Sequence, residues 1–185
     1  MALTFANKIT VGRILIVPFF IIVLLYYSPL NDYLRLVALG LFSFAVITDL
    51  IDGYIARTRH QKTKAGALLD PLADKILLMS AFLCLYKIGD YFSAVQFPTW
   101  LVVAVISRDT ILLLGAMIIQ LVRGDITLTP TPWGKATTFF QIVSVFGMLL
   151  QWPWLSVVWY PTVVLTIISG VDYIRTGIKV INNGV

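Results

Sequence analysis

Long apolar runs separated by short polar segments dominate the sequence. Six of the runs are long enough to cross a bilayer, and they cover about 9–27, 33–55, 67–88, 98–122, 136–154 and 156–180. Each run is close to the roughly 20 residues that a transmembrane helix requires. Because the connections are short, consecutive helices are expected to be neighbours that run in opposite directions. The pattern therefore predicts an all-α integral membrane protein with six transmembrane helices.

A shorter stretch precedes the first run. Residues 2–8 are too few to span a membrane, and with Phe5 and Lys8 they predict a brief interfacial helix at the N-terminus. We expect residues 1–185 to form one membrane domain, because the length leaves no room for an appended soluble module. Hydrophobic residues make up 59% of the chain and charged residues 12%, which excludes a soluble nucleic-acid-binding protein despite the net charge of +5.

Positive charges are distributed unevenly among the predicted loops. With the N-terminus in the cytoplasm, the cytoplasmic segments hold ten Lys and Arg residues, whereas the opposite side holds only Arg35 and Lys87. Because an excess of Lys and Arg marks cytoplasmic loops, this distribution predicts a multi-pass protein of the inner (cytoplasmic) cell membrane with both termini in the cytoplasm.

Four carboxylates occur between positions 49 and 74, in runs that otherwise contain little charge. Asp49 and Asp52 are three residues apart on the second predicted helix, and Asp70 and Asp74 are four apart on the third. Each pair therefore shares one face of its helix. A basic turn joins the two helices on the cytoplasmic side, so all four carboxylates can be aimed at a common point that opens to the cytoplasm.

This cluster indicates a site for divalent metal ions. An ionised Asp near the bilayer centre costs roughly 2.5–3.5 kcal/mol on insertion scales, so four of them are not expected there without a function. Their hard oxygen atoms suit Mg²⁺, Mn²⁺ or Ca²⁺ better than zinc, and four negative charges match two divalent cations. Paired metal ions recur in phosphoryl transfer. Asp70 precedes Pro71 and is also a candidate helix N-cap, a role compatible with metal binding.

The same stretch resembles the signature of the CDP-alcohol phosphotransferase family, Asp-x2-Asp-Gly-x2-Ala-Arg-x8-Gly-x3-Asp-x3-Asp. Every fixed position matches, as Asp49, Asp52, Gly53, Ala56, Arg57, Gly66, Asp70 and Asp74. The resemblance implies a homodimeric membrane enzyme that transfers a phosphatidyl group from CDP-diacylglycerol, or a related headgroup from a CDP-alcohol, and releases CMP. It further implies that the four Asp residues hold two divalent cations, Mg²⁺ or Mn²⁺. Asp74 would also be the catalytic base that takes the proton of the acceptor hydroxyl.

Small residues border the carboxylates on the second helix. Gly53 and Ala56 share the face of Asp49, so they leave a bare strip on which a CDP moiety is expected to lie. The alternative use of such a strip is close helix–helix contact. Arg57 ends this face and is placed to meet the diphosphate or the neighbouring carboxylates. By resemblance, Asp49 and Gly66 complete the set of residues that bind CDP.

Three cations outside the cluster are candidates for binding a phosphate of the acceptor. Arg13 follows Asn7 and Thr10 in a pattern that resembles the opening of the phosphatidylglycerophosphate synthases of this family, and it either receives a phosphate or anchors the helix at the membrane boundary. Lys135 follows Gly134 before the predicted fifth helix, where a cation and free N–H groups would face a phosphate.

The third candidate is Arg108, which lies beside Asp109 inside the fourth predicted span. Adjacent residues on a helix do not face each other, so each is expected to need its own partner. We expect Arg108 to turn to the Asp cluster, and Asp109 to pair with Lys75 or Arg13. A structural ion network and a substrate pocket both remain open for these residues.

The identity of the acceptor also remains open. Glycerol 3-phosphate is favoured, because Arg13, Arg108 and Lys135 offer cations for its phosphate. Phosphatidylglycerol, as in the cardiolipin synthases, is the alternative, since Thr137 replaces the second Lys of the Gly-Lys-x-Lys-Thr pattern typical of phosphatidylglycerophosphate synthases. A small ion-binding transporter is a non-enzymatic alternative, because intramembrane Asp residues also mark ion pathways. Such transporters usually show repeat symmetry, and the sequence shows none.

Overall fold

The described part of the chain folds into six long α-helices. The computed structural model describes residues 5–59, 64–92, 95–123 and 131–182, and along 5–11, 52–59, 64–71, 119–123 and 178–182 it describes the backbone alone. The helices are α1 (Phe5–Leu25), α2 (Tyr33–Arg59), α3 (Lys64–Lys87), α4 (Thr99–Arg123), α5 (Pro132–Leu149) and α6 (Ser156–Asn182). Single 3-10 turns, Pro29–Asn31 and Gly89–Tyr91, lie in two of the connections. Since these described residues contain no strand, the predicted all-α class is confirmed.

The N-terminal stretch differs from the prediction of a separate interfacial helix. From Phe5 onwards it is the first part of α1, which continues without a break to Leu25. The physical reason is that no Gly or Pro interrupts the chain before Gly12, so the helix has no cause to stop. Residues 2–4 of the predicted interfacial helix lie outside the described residues.

The fifth helix ends at Leu149, five residues before the end of its apolar run. Gln151 has a positive φ of 52°, the N–H of Gln151 donates to the carbonyl of Met148, and the N–H of Trp152 donates to the carbonyl of Gly147 at 2.8 Å. This is the Schellman arrangement, which normally has Gly at the left-handed position. The apolar pattern hides the helix end, because tryptophans on both sides of Pro153 continue the run.

Three stretches of the described chain are long and apolar enough to cross a membrane, namely Tyr33–Ile51 in α2, Thr99–Ile118 in α4 and Ser156–Gly177 in α6. A shorter apolar segment, Gly12–Leu25, belongs to α1. The side chains of α3 are described only along 72–87, which is shorter than a span requires, and Asp74, Lys75 and Lys87 lie among them. The chain is thus a helical protein with membrane character, while the count of six spans remains a prediction.

The helices pack so that one half of the bundle is filled by apolar side chains. The first helix contacts α2 and α3, α3 also contacts α4 and α5, α4 contacts α6, and α5 contacts α2 and α6. Phe82 stacks on Phe97 with 4.9 Å between ring centroids, and Phe42 meets Phe146 edge-on at 5.2 Å. This core lies near the ends of the helices that are remote from the predicted acidic cluster.

At the same end, a salt bridge that we call the distal pair (Asp32 and Arg35) ties the helix connections together. Arg35 donates from Nε and Nη2 to the two carboxylate oxygens of Asp32 at 2.8 and 2.7 Å. Its Nη1 donates to the carbonyl of Leu149 at 2.6 Å, at the end of α5. The hydrogen bonds from Arg35 hold the pKa of the Asp32 carboxyl below its ordinary value. The pair therefore fastens the start of α2 to the end of α5.

Candidate functional site

In the half of the bundle that lies away from the apolar core and the distal pair, an ion pair joins α1 to α2. Nη1 of Arg13 lies 2.6 Å from Oδ1 of Asp49. The Arg13 side chain is 2% exposed, whereas that of Asp49 is 42% exposed. The sequence predicted a functional role for each residue but did not predict that they pair. The contact with Arg13 therefore leaves part of the Asp49 side chain exposed.

The third helix brings a second predicted carboxylate close to this pair. Asp74 is partly buried and lies within electrostatic range of Asp49 and Arg13, as well as of Lys75 and Asp109. Asp49 and Asp74 therefore lie within range of an electrostatic interaction, and the convergence of all four carboxylates stays a prediction. The predicted site residues Asp52, Gly53, Ala56, Arg57, Gly66 and Asp70 lie where only the backbone is described, within α2 and α3. Their roles therefore remain predictions.

The donor set at these positions fits a hard divalent cation. Asp49 and Asp74 offer carboxylate oxygens, and Asp52 lies one helical turn from Asp49 on the continuous α2, as Asp70 does from Asp74 on α3. Oxygen ligands of this kind suit Mg²⁺ or Mn²⁺. The side chains that the structure describes contain no group of three or more His, Cys, Asp or Glu placed to hold a metal ion, and Asp52 and Asp70 are not among those side chains.

A buried ion network begins beside Asp74. Asp109 of α4 is completely buried, and its Oδ1 accepts from Lys75 Nζ at 3.1 Å and from Arg108 Nη1 at 2.6 Å. The predicted pairing of Asp109 with Lys75 is thereby confirmed. The pairing of Asp109 with Arg13 is not observed, because Arg13 instead contacts Asp49. One carboxylate is therefore shared by two cations from two helices.

The contact between Arg108 and Asp109 corrects the expectation that adjacent helical residues need separate partners. The Cβ atoms of adjacent residues do diverge, but the long Arg108 side chain carries its guanidinium back to the neighbouring carboxylate. Arg108 does not form a salt bridge with the described members of the Asp cluster, Asp49 and Asp74. Its Nη2 donates to Ser169 Oγ of α6, and its buried Nε has no hydrogen-bond partner among the described residues.

Three uncharged residues complete what we call the central network, which comprises Lys75, Arg108, Asp109, Thr138, Gln141 and Ser169. Lys75 Nζ donates to Thr138 Oγ1 at 3.4 Å, and Gln141 Nε2 donates to Asp109 Oδ2 at 3.4 Å. Thr138, Gln141 and Ser169 were not among the predicted site residues. Polar residues in long apolar helices were the available signal, since such residues rarely face lipid.

The start of α5 lies against the central network but differs from the predicted phosphate cradle. The helix begins at Pro132, and the side chain of Thr131 caps it by accepting from the N–H of Gly134 at 3.2 Å. The N–H of Lys135 donates to the Thr131 carbonyl. These two N–H groups are therefore not free, because the helix starts four residues earlier than the apolar pattern predicts. The Lys135 side chain is exposed, and a Cβ added to Gly134 would lie 3.5 Å from Arg108 Nη2.

Together, these features define an integral membrane protein of helical class in which carboxylates and buried cations meet at one half of a bundle. The model of the CDP-alcohol phosphatidyltransferase family matches residues 3–169. The chain belongs to the CDP-alcohol phosphatidyltransferase family. Enzymes of this family are transferases and generally use a divalent metal ion.

Curated relatives cover nearly the whole chain. A probable phosphatidylglycerophosphate synthase of Mycobacterium tuberculosis is 35% identical over 94% of this chain and 81% of its own length. The CDP-diacylglycerol–glycerol-3-phosphate 3-phosphatidyltransferase of Bacillus subtilis is 31% identical over 90% of this chain and 91% of its own length. The Aquifex aeolicus protein of the same name is 28% identical over 95% and 96%.

Proposed function

We propose that this protein transfers the phosphatidyl group of CDP-diacylglycerol to glycerol 3-phosphate and releases CMP. The names of its relatives from Mycobacterium tuberculosis, Bacillus subtilis and Aquifex aeolicus support this reaction. The single structural observation that carries the proposal is the ion pair between Arg13 on α1 and Asp49 on α2, with Asp74 of α3 within electrostatic range of both. Carboxylates for metal ions and cations for phosphates are the two kinds of group that this chemistry needs.

The proposed metal site consists of Asp49, Asp52, Asp70 and Asp74 and holds two divalent cations, Mg²⁺ or Mn²⁺. When bound, these ions would grip the diphosphate of CDP-diacylglycerol and offset the charge that develops on the leaving CMP. Asp49 also holds Arg13 in place, so this arginine lies at the edge of the metal site. The bare strip at Gly53 and Ala56 receives the CDP moiety, together with Arg57 and Gly66.

The chemical step requires one proton acceptor from the chain. Asp74 accepts the proton of the primary hydroxyl of glycerol 3-phosphate, and the hydroxyl oxygen attacks the phosphorus atom of the phosphatidyl group. A new phosphorus–oxygen bond forms while the bond to CMP breaks, so the leaving group departs with the bonding electrons. Partial burial of Asp74 supports this role, because an unshielded carboxylate with a pKa near 3.9 is a weak base.

Three cations are proposed to bind the phosphate of the acceptor. Arg13 and Arg108 are buried, and Lys135 is exposed at the start of α5. A guanidinium has five N–H donors, and Arg108 uses one each at Nη1 and Nη2 for Asp109 and Ser169. Pairing with Asp109 therefore leaves this arginine with donors for an anion.

We further propose that residues 1–185 form one membrane domain that crosses the inner membrane six times, with both termini and the active site on the cytoplasmic side. The excess of Lys and Arg in the predicted cytoplasmic loops supports this orientation. Assembly as a homodimer is proposed from the family resemblance.

The proposed reaction is tested by supplying the purified protein with CDP-diacylglycerol, Mg²⁺ and one acceptor at a time. We expect CMP release with glycerol 3-phosphate and much less with phosphatidylglycerol or inositol. Release with phosphatidylglycerol alone would instead identify a cardiolipin synthase. If no acceptor supports CMP release while Asp49→Asn alters ion flux in liposomes, the transporter alternative replaces the enzyme.

A further inference from the structure

The central network contains more positive than negative charge. Lys75 and Arg108 each carry one positive charge and share the single carboxylate of Asp109, which leaves a surplus of one positive charge. The exposed fractions are 12% for Lys75, 6% for Arg108 and 0% for Asp109. Burial of an unbalanced charge is costly unless another group compensates it. Asp74 also lies within electrostatic range of Lys75, but in the proposed function its charge is matched by the metal ions. A negatively charged ligand is therefore the natural compensation.

The geometry of Asp109 fixes both cations at once. Its Oδ1 accepts hydrogen bonds from Arg108 Nη1 and Lys75 Nζ, and its Oδ2 accepts one from Gln141 Nε2. These contacts come from α3, α4 and α5, and the bond from Arg108 to Ser169 adds α6. With its guanidinium held at both Nη atoms, Arg108 has little freedom to reorient, because each charge-assisted hydrogen bond restricts it. Its buried Nε is the donor that no described residue satisfies.

We propose that Asp109 is a positioning residue, which orients Arg108 for the phosphate of the acceptor, and that Lys75 balances the charge of Asp109 so that Arg108 keeps its affinity for an anion. Without Lys75, the Arg108–Asp109 pair would be neutral and would attract a phosphate weakly. Without Asp109, the two cations would repel each other and Arg108 would lose its fixed orientation. This inference rests on the proposed transfer to glycerol 3-phosphate.

The negative charge of Asp109 and its positioning of Arg108 predict opposite effects of the substitution Asp109→Asn. Asp109→Asn removes a negative charge, so a purely electrostatic effect would strengthen phosphate binding and lower the KM for glycerol 3-phosphate. Loss of orientation would weaken binding and raise this KM. We expect the KM for glycerol 3-phosphate to rise by about tenfold, the size expected for losing a charge-assisted hydrogen bond, while the KM for CDP-diacylglycerol stays within about twofold.

Two milder variants keep the test decisive if Asp109→Asn fails to fold. Ser169→Ala removes only the hydroxyl that holds Arg108 Nη2, and it should raise the KM for glycerol 3-phosphate about threefold with little change in kcat. Lys75→Met should raise the same KM, because the neutral Arg108–Asp109 pair remains. Asp32→Asn is the matched control, since it breaks an arginine–aspartate pair at the other end of the bundle and should leave both KM values unchanged.

The outcomes separate this inference from the proposed function. If the unmodified protein releases no CMP with glycerol 3-phosphate, the proposed function fails and the inference fails with it. If the unmodified protein is active and Asp109→Asn lowers the KM for glycerol 3-phosphate, or Ser169→Ala and Lys75→Met both leave it unchanged, the inference alone is overturned. An equal rise in both KM values would indicate a general structural role and would also overturn it.

Discussion

Two arginine–aspartate pairs occupy opposite halves of the bundle and differ in their balance of charge. The distal pair of Asp32 and Arg35 is neutral, bidentate and partly open to solvent, with 49% of the Asp32 side chain exposed. The pair of Arg108 and Asp109 is buried and is joined by Lys75, which makes the central network positive overall. The first pair fastens a helix end, whereas the second holds cations in a setting that favours an anion.

The comparison shows that the presence of an ion pair does not by itself indicate function. A solvent-exposed pair contributes little to stability, and its residues already satisfy each other. A buried carboxylate shared by two cations leaves positive charge, and Arg108 Nε has no hydrogen-bond partner within the part of the chain that the structure describes. Burial together with charge imbalance is therefore the feature that distinguishes the half that contains the proposed site from the half that contains the distal pair.

Metal removal should produce the largest difference between the two halves. Treatment with EDTA is expected to abolish CMP release, because the proposed carboxylate site would lose the ions that bind the diphosphate. Added Mg²⁺ or Mn²⁺ should restore it. Melting curves measured in parallel should show that the apolar half remains folded in the presence of EDTA. Undiminished CMP release in EDTA would contradict the metal-dependent site.

Substitution of a single carboxylate gives the next largest effect. Asp49→Asn should reduce kcat by about a hundredfold or more, the size seen when one transition-state-stabilising group is lost. Asp32→Asn makes the same chemical change in the distal pair and should leave kcat within about twofold. The steady-state rate of CMP release measures both variants. Equal losses in the two variants would remove the distinction between the halves.

A change in the apolar half should affect stability without affecting the chemistry. A Cβ added to Gly147 would overlap Cδ1 of the fully buried Leu155, so Gly147→Ala should destabilise the protein. Overpacking costs about 1–3 kcal/mol and the gain in helix propensity returns about 1, which leaves a net loss of about 1 kcal/mol. The melting temperature in detergent measures it, and kcat below that temperature should not change.

The matched variant for this prediction is the double substitution Gly147→Ala with Leu155→Val. Because Val lacks the overlapping atom, the double variant should be more stable than the sum of the two single effects. Strictly additive losses would show that Gly147 and Leu155 do not constrain each other.

The smallest expected effect concerns the distal pair and pH. Since the pKa of Asp32 is lowered in the folded protein, its contribution to stability is complete above the ordinary Asp value of about 3.9 and is lost as the pH falls through the lowered pKa. The difference in melting temperature between the unmodified protein and Asp32→Asn should be small at pH 6 and smaller still at pH 3. A difference that grows on acidification would contradict the pairing with Arg35.

Much of the fold follows from the apolar pattern, because long runs of about 20 residues have few alternatives to helices. The helix bounds agree with the pattern to within about four residues, except at the end of α5. There Gln151 adopts the left-handed conformation that the sequence does not mark with Gly. A separate interfacial helix was predicted before α1, but from Phe5 onwards the polar residues before Thr10 continue directly into α1.

The candidate site was less predictable, because its contacts join distant parts of the chain. The acidic motif and the pairing of Lys75 with Asp109 follow from residue types and spacing. The bond from Arg108 to its neighbour depends on the reach of a long side chain, which helix periodicity does not describe. Gln141 and Ser169 have no spacing signature, and their roles emerge only when α4, α5 and α6 are packed together.

The most direct test of the account follows radiolabelled glycerol 3-phosphate into lipid. Purified protein, reconstituted with CDP-diacylglycerol and Mg²⁺, should move the label into the lipid fraction in equal amount to the CMP released. Asp49→Asn should do neither, while Asp32→Asn should do both. Label that stays in the aqueous phase while CMP is released would show that glycerol 3-phosphate is not the acceptor, and the proposed reaction would be wrong.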